Sequence, residues 1–310
     1  MKKSIPVIVP ILIMLMVAAF CAGGYYLFYK GMLQKDVKNE VIVEDNTFLA
    51  SEYPKIMSVY PMGDLMDKYY TALTGQVMQT ACADEDEIIR KVINNEIDIG
   101  VVPDLTEEQI KLIQDSGIKL ETIEIAKDAL VFITKSSNSV NNISHDNLGK
   151  IYSGEITKWD ALGGKAEEIK AYQKPTNSFI QNMMNKMVMG EKELKKQIRE
   201  NLIQDNEAIA ELNSEYYGIE GRLGYTLYNY YDDMYNDVSN GVMNSDKMIS
   251  VNDVAPTVEN ISNNTYPYTI TYYMIFNSTQ RPDGNVRNLI SKIKADFGKN
   301  IAKEAGYIAK

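Results

Sequence analysis

The chain has 310 residues, which is long enough for about two domains of ordinary size. Its 42 acidic residues outnumber its 32 lysines and arginines, giving a formal net charge of -10, so the composition excludes an extended basic surface for nucleic acid. It contains one histidine and two cysteines, Cys21 and Cys82. Because Cys21 lies in an apolar segment, we expect no disulfide, and stability must come from an ordinary core.

The amino-terminal segment is typical of a membrane anchor. Lys2 and Lys3 precede an uncharged and mostly apolar run at residues 4–29. This run exceeds the roughly 20 residues that a membrane helix needs. The sequence therefore predicts one N-terminal transmembrane helix within residues 1–32, followed by a juxtamembrane stalk at residues 33–49.

Two alternatives compete with an uncleaved anchor. A cleavable signal peptide has a shorter apolar core than this one, which continues to Tyr29. Cys21 follows small residues at positions 18 and 19, as in a lipoprotein, but Phe20 stands directly before the cysteine and argues against lipidation. With the lysines kept inside, the chain from about Lys35 onward is expected to be extracellular, as the carboxyl-terminal domain of a single-pass protein of the cell membrane.

The remaining chain alternates predicted strands and helices, which indicates an α/β fold. Predicted strands lie at 55–59, 97–102, 120–125, 129–134 and 265–276, and residues 221–231 are expected to form a glycine-delimited strand and the start of a helix. Predicted helices lie at 64–73, 85–94, 107–115, 148–152, 179–189, 191–206 and 286–305. Thr106 and Ser144 precede two of these helices as expected N-caps, since their hydroxyls can accept from early helical N–H groups.

Two strings carry a family resemblance. They are I-Y-S-G-E-I-T-K-W-D-A-L-G-G at 151–164 and N-T-Y-P-Y-T-I-T-Y-Y at 264–273. Over residues 53–307 the chain resembles the substrate-binding proteins of phosphate ABC transporters. The resemblance implies a two-lobed periplasmic-binding-protein-like fold with two crossing strands, in which residues 50–130 and 265–310 form lobe 1 and residues 131–264 form lobe 2.

The resemblance also implies that three loops bind an oxyanion between the lobes. In the first loop, where the family has a D-G-S-T type of turn, this chain offers Ser58, Val59 and Tyr60. Ser58 is equally consistent with a turn residue. Thr80 is a further candidate in the same lobe, although a capping role explains it as well. In the third loop, Tyr225 and Thr226 follow a glycine as in the family's G-Y-S pattern.

The second loop matches the family's R-P-E-N-S-G-S-Q pattern in part. Asn177, Ser178 and Gln181 fit the pattern, and Lys174 stands for the arginine. The 179–180 pair, Phe-Ile, replaces glycine and serine. Glycine lets a backbone approach an anion closely and serine donates a hydrogen bond, so both replacements crowd the expected site.

Enzyme classes find little support. His145 is the single histidine and is expected on the surface at a helix start, so neither a catalytic triad nor a His/Cys metal site can be assembled. Phosphate-binding glycine motifs of nucleotide enzymes are absent from the sequence, and we expect no cofactor. The resemblance implies a protein that delivers inorganic phosphate or a related anion to ABC permease subunits; the alternative is a surface sensor or interaction module with a degenerate cleft.

Overall fold

The computed structural model describes residues 48–196, 202, 221–231, 246–279 and 284–309. The predicted membrane segment at 4–29 and nearly all of the predicted stalk lie outside these ranges. Every helix in the described ranges is too short or too polar to pass through a lipid bilayer.

The described residues form alternating strands and helices. The strands are β1 (Ile56–Ser58), β2 (Ala81–Cys82), β3 (Ile99–Val102), β4 (Leu120–Lys135), β5 (Asn142–Ile143), β6 (Lys170–Ala171), β7 (Arg222–Leu227), β8 (Asp246–Val251), β9 (Thr269–Asn277) and β10 (Ile308–Ala309). The helices are α1 (Gly63–Thr74), α2 (Glu85–Ile93), α3 (Glu107–Asp115), α4 (His145–Ser153), α5 (Phe179–Met184), α6 (Val258–Ser262), α7 (Asn285–Lys294) and α8 (Asp296–Glu304).

The first lobe is built on the strand order β2-β1-β3-β9-β4. Strand β1 pairs in parallel with β2 and β3, whereas β9 pairs antiparallel with both β3 and the first part of β4. Strand β10 also pairs antiparallel with β4. Helix α8 contacts α1, since the Tyr69 hydroxyl of α1 donates to the Gly298 carbonyl of α8 at 3.1 Å.

Strand β4 continues into the second lobe. From Leu130 onward it pairs antiparallel with β7 and from Phe132 also with β8, while β6 adds in parallel to β7 and β5 to β8. The chain comes back before β9, where the Leu130 N–H donates to the Tyr268 carbonyl at 3.0 Å. The predicted two-lobed α/β architecture is confirmed, with a mixed sheet because the crossing strands run antiparallel to their neighbours.

The sequence predicts two strands where β4 is one. The charged pair Lys127 and Asp128 interrupts the apolar pattern, yet both side chains are buried. Lys127 Nζ donates to the Ser262 carbonyl at 3.0 Å and to Asn264 Oδ1 at 2.5 Å, so its charge is met by two acceptors. A register shift between Glu124 and residue 126 marks a β-bulge where the sequence predicts a break.

The expected helix caps are confirmed. Thr106 Oγ1 accepts from the Gln109 N–H at 3.2 Å, and the Gln109 side chain accepts from the Thr106 N–H, which completes a capping box. Ser144 Oγ accepts from the Asn147 N–H at 3.2 Å. These caps are local in sequence, which is why the pattern of residues predicts them.

Three predicted helices differ from the structure. The helix predicted at 286–305 is divided into α7 and α8 by Ala295, whose φ of -69° and ψ of 165° are extended. Helix α5 passes at Asn185 into a π-helical segment that ends at Met189. Residues 191–196 are not helical, and the rest of the helix predicted at 191–206, apart from Leu202, lies outside the described ranges.

Candidate functional site at the junction of the lobes

The first predicted loop follows β1 in lobe 1. Ser58 is fully buried, and its Oγ lies 3.6 Å from Cys82 Sγ. Val59 is also buried, and its N–H donates to the Val101 carbonyl at 3.0 Å. Tyr60 is 68% exposed, and the next residue is Pro61, which has no N–H to donate. The loop therefore presents few donors to an anion.

The Thr80 side chain makes its hydrogen bonds within its own lobe. Its N–H and its hydroxyl both donate to Asp67 Oδ1 at 2.6 Å, and its side chain is buried. The two bonds fasten the start of β2 to helix α1. Because the hydroxyl proton is already donated, Thr80 has only lone pairs left for a ligand.

The second predicted loop is held by its own side chains. The Lys174 N–H donates to Gln181 Oε1 at 3.0 Å and to the Tyr225 hydroxyl oxygen at 3.1 Å. Ser178 caps α5, since its Oγ accepts from the Gln181 N–H at 3.1 Å. The structure thus brings Lys174, Ser178, Gln181 and Tyr225 together, all of them buried, while Asn177 is exposed. This bonding fixes the loop before any ligand arrives.

Aromatic rings flank the start of α5. Phe179 is 8% exposed, and its ring stacks on Tyr272 of β9 with centroids 6.4 Å apart and planes inclined by 28°. Ile180 beside it is buried as well. The side chains that replace glycine and serine of the family pattern therefore occupy space at this helix start, as the sequence predicts.

The third predicted loop is part of a strand. Gly224, Tyr225 and Thr226 lie within β7, where they pair with residues 131–133 of β4. The Tyr225 hydroxyl donates to Gln181 Oε1 inside the second lobe. Successive residues of a strand point to opposite faces, so Thr226 lies on the other face. Its buried Oγ1 has no hydrogen-bond partner in the described part of the chain.

An ammonium group joins the two lobes. Lys186 follows α5 in lobe 2, and its Nζ donates to the Asp104 carbonyl of lobe 1 at 2.8 Å. The Asp104 side chain also accepts from the Thr271 N–H of β9 at 3.0 Å. Burial raises the pKa of the nearby Glu85 carboxyl, and its Coulombic attraction to Lys186 partly offsets that rise. Sequence reasoning missed these residues because their partners are far apart in the chain.

A buried carboxyl lies where β4 passes between the lobes. Asp128 Oδ1 accepts from the Ala129 N–H at 2.8 Å and from the Asn229 N–H at 3.1 Å. Burial raises the pKa of Asp128 to about 7, although these backbone donors lower it. Sequence reasoning also missed this residue, whose signal is a charged pair inside an apolar strand.

Comparison with known proteins places the chain in a family. Residues 61–298 match the family model described as the PBP superfamily domain, and they cover well over half of the chain. The chain belongs to the PBP superfamily. The resemblance to the substrate-binding proteins of phosphate ABC transporters is confirmed, because its relatives are named phosphate-binding proteins.

The relatives span most of this chain. Phosphate-binding protein PstS of Borreliella burgdorferi is 29% identical over 215 residues, which make up 66% of this chain and 69% of that protein. PstS of Staphylococcus haemolyticus is 25% identical over 295 residues, covering 93% of this chain and 87% of its own length.

Solved structures show the same fold. PstS from Borrelia burgdorferi superposes with a TM-score of 0.63 at 21% identity, covering 82% of this chain and 97% of that one. An ABC-type phosphate transport receptor from Vibrio cholerae gives 0.65 at 20% identity, with 82% and 99% coverage. At these identities the likeness concerns the fold.

Proposed function

We propose that the protein is the extracellular substrate-binding component of an ABC transporter and binds phosphate or a related oxyanion between its lobes. In this proposal residues 4–29 anchor it in the cell membrane, and its further partners are the permease subunits. Phosphate-binding relatives support the ligand class, as does a similar substrate-binding structure from Clostridium perfringens that contains bound phosphate.

The observation that carries the proposal is the buried lysine of the second loop. Lys174 is 2% exposed and stands where the family pattern has arginine. A lysine ammonium can donate charge-assisted hydrogen bonds to an oxyanion, and these are stronger than bonds between neutral groups. The overall negative charge of the chain does not oppose this, because a local site acts through nearby groups and backbone dipoles.

Phe179 favours a second candidate, a surface sensor or interaction module that has lost anion affinity. Its ring lies against Tyr272 at the start of α5, where the family pattern has glycine. A side chain at this position keeps the backbone N–H groups away from a ligand. The two candidates share the fold and differ in whether the cleft binds an anion.

Calorimetry on the full-length protein with phosphate, sulfate and small carboxylates separates these candidates. If the cleft binds phosphate, we expect a Kd well below millimolar, and Lys174→Met should weaken binding by about 10- to 100-fold, as expected for a lost charged hydrogen bond. Lys170→Met, which alters an exposed lysine on β6, is the matched control and should bind like the wild type.

The same titration on Phe179→Gly tests the second candidate. A wild-type protein that binds no anion contradicts the transport proposal. Binding gained by Phe179→Gly would then identify the phenylalanine ring as the group that closes the site. Equal, tight phosphate binding by the wild type and Phe179→Gly would instead exclude the degenerate cleft.

A further inference from the structure

The hinge between the lobes contains a polar cluster. Asp128 pairs with Ile270 of β9, and two residues later β4 changes partner and pairs with β7 of the second lobe. Tyr272 lies on the same face of β9 as Ile270, diagonally across from Asp128. Asn229, in the helical turn 228–231 of the second lobe, donates its N–H to Asp128 Oδ1 at 3.1 Å.

The carboxyl-terminal segment of the first lobe closes this cluster from the other side. Gly306 lies beside Asn229, and a Cβ placed there would make an ordinary van der Waals contact with Asn229 Cβ at 3.5 Å. The next residue, Tyr307, sets its ring edge-on to Tyr272 with centroids 6.3 Å apart, and its hydroxyl donates to the Pro61 carbonyl. Asn229 is thus held between β4 and the first lobe, so a rotation of the lobes must disturb it.

Three oxygen atoms in the cluster are buried without a hydrogen-bond partner in the described ranges. They are Asp128 Oδ2, Asn229 Oδ1 and the Tyr272 hydroxyl. An ionised Asp128 keeps a charged oxygen, Oδ2, buried without a hydrogen-bond partner in these ranges, which is costly. A protonated carboxyl removes that charge and supplies an O–H donor of its own.

The titratable groups that face the cluster are all acids. They are Tyr272 on β9, Tyr307 before β10, Tyr230 in the turn 228–231, Glu85 at the start of α2 and Asp64 at the start of α1. A water molecule bonded to Asp128 Oδ2 and Asn229 Oδ1 would not neutralise an ionised Asp128, because none of these groups is a cation. Lys127, adjacent in the chain, directs its ammonium to Ser262 and Asn264 instead.

We propose that the hinge is proton-linked: Asp128 takes up a proton when the lobes close and releases it when they open. This coupling of proton uptake to closure does not depend on which ligand the protein binds. In this structure burial raises the pKa of Asp128 to about 7, whereas an aspartate that opening exposes to water has a pKa of about 4. Closure is therefore favoured at low pH, and the closed-to-open ratio falls as pH rises between these values, by at most about tenfold per pH unit.

The distance between lobes tests this directly. Spin labels at Val77→Cys in lobe 1 and Lys165→Cys in lobe 2, both exposed sites, report closure in full-length protein whose own cysteines are replaced by alanine. We expect the open fraction of wild type to grow from pH 5 to pH 7 and to level off by pH 8. In Asp128→Asn, whose amide imitates the protonated acid, we expect a closed form that does not respond to pH.

Asp115→Asn, an exposed change on α3, is the control and should keep the wild-type profile. A wild-type distance independent of pH, or an identical profile in Asp128→Asn, overturns the proposal. If Asp128→Asn fails to fold, the pH dependence of the Asn229 backbone amide resonance in wild type provides the test instead. A shift with a midpoint near pH 7 supports proton uptake at Asp128, and no shift or a midpoint below pH 5 contradicts it.

Discussion

Two arginine–carboxylate pairs in this protein differ in their shielding from water. Arg222 and Asp246 form an ion pair in the second lobe with side chains that are 3% and 0% exposed. Arg287 and Glu121 form a two-pronged pair with side chains that are 30% and 33% exposed. Burial raises the pKa of Asp246 despite its arginine, whereas hydrogen bonding to Arg287 lowers that of Glu121.

Removing the carboxylate should therefore have unequal effects at the two pairs. Asp246→Ala leaves a buried guanidinium without its carboxylate, and we expect the free energy of unfolding to fall by about 3 to 5 kcal/mol. Glu121→Ala is the matched control and should cost much less, because water solvates the freed Arg287. Denaturant unfolding of both variants measures the difference; equal losses would show that the buried pair contributes no more than the half-exposed one.

For single residues of the candidate site, the sequence predicts which residue types are present but not the hydrogen bonds that their side chains make. Lys174 and Ser178 follow from the family pattern, and the structure buries both side chains. The donation from Thr80 to Asp67 spans 13 positions, and that from Tyr225 to Gln181 spans 44. Tertiary packing brings such distant partners together, and a pattern of neighbouring residues gives no information about that packing.

At the scale of elements, local signals predicted the ends of helices better than the continuity of strands. Thr106 and Ser144 cap the expected helices because the cap is decided within four residues. Strand β4 was expected as two strands because Lys127 and Asp128 look like a break. Their burial is made possible by acceptors and donors from α6, the following turn and lobe 2, which the local sequence does not reveal.

The start of β7 depends on a glycine. Gly221 has a φ of +77°, and a Cβ there would lie 2.1 Å from the Glu168 carbonyl oxygen. Its own carbonyl accepts from Trp159 Nε1 and from the Lys170 N–H, both at 2.9 Å, so the backbone has little freedom to move away. This crowding differs from the situation at Gly163, where φ is +79° and a Cβ would meet nothing within 4 Å.

Alanine substitutions at Gly163 and Gly221 separate the cost of a left-handed backbone from the cost of a steric clash. Gly163→Ala carries only the strain of a left-handed backbone, about 1 kcal/mol. Gly221→Ala adds a backbone clash, and we expect a clearly larger loss of stability with weakened pairing of β6 to β7. Thermal unfolding compares the variants, and amide exchange of Lys170 locates the damage. A Gly221→Ala protein as stable as Gly163→Ala would show that the backbone at Glu168 moves away from the added methyl group at little cost.

At the scale of the whole molecule, contacts of different kinds join the lobes within the described ranges. Phe179 meets Tyr272 through ring stacking, Asn229 meets Asp128 and Gly306 at the hinge, and Lys186 crosses the cleft to the Asp104 carbonyl. Two-lobed binding proteins work by opening and closing, so each contact biases that equilibrium. The Lys186 contact is the one that salt should weaken, because its exposed ammonium is also attracted to the charge of the Glu85 carboxylate in lobe 1.

Lys186→Met should shift the lobes toward the open form. The variant keeps most of the aliphatic chain and removes the ammonium, and for an exposed contact we expect a change of a few-fold in the closed-to-open ratio. Lys150→Met is the control, because its ion pair with Asp146 lies within one helix of lobe 2. Spin-label distances at pH 6 measure the ratio, and raising the salt concentration should open wild type while leaving Lys186→Met unchanged. If the spin-label distances were equal in wild type and Lys186→Met, the Phe179–Tyr272 ring contact and the hinge contacts of Asn229 would be what holds the lobes closed.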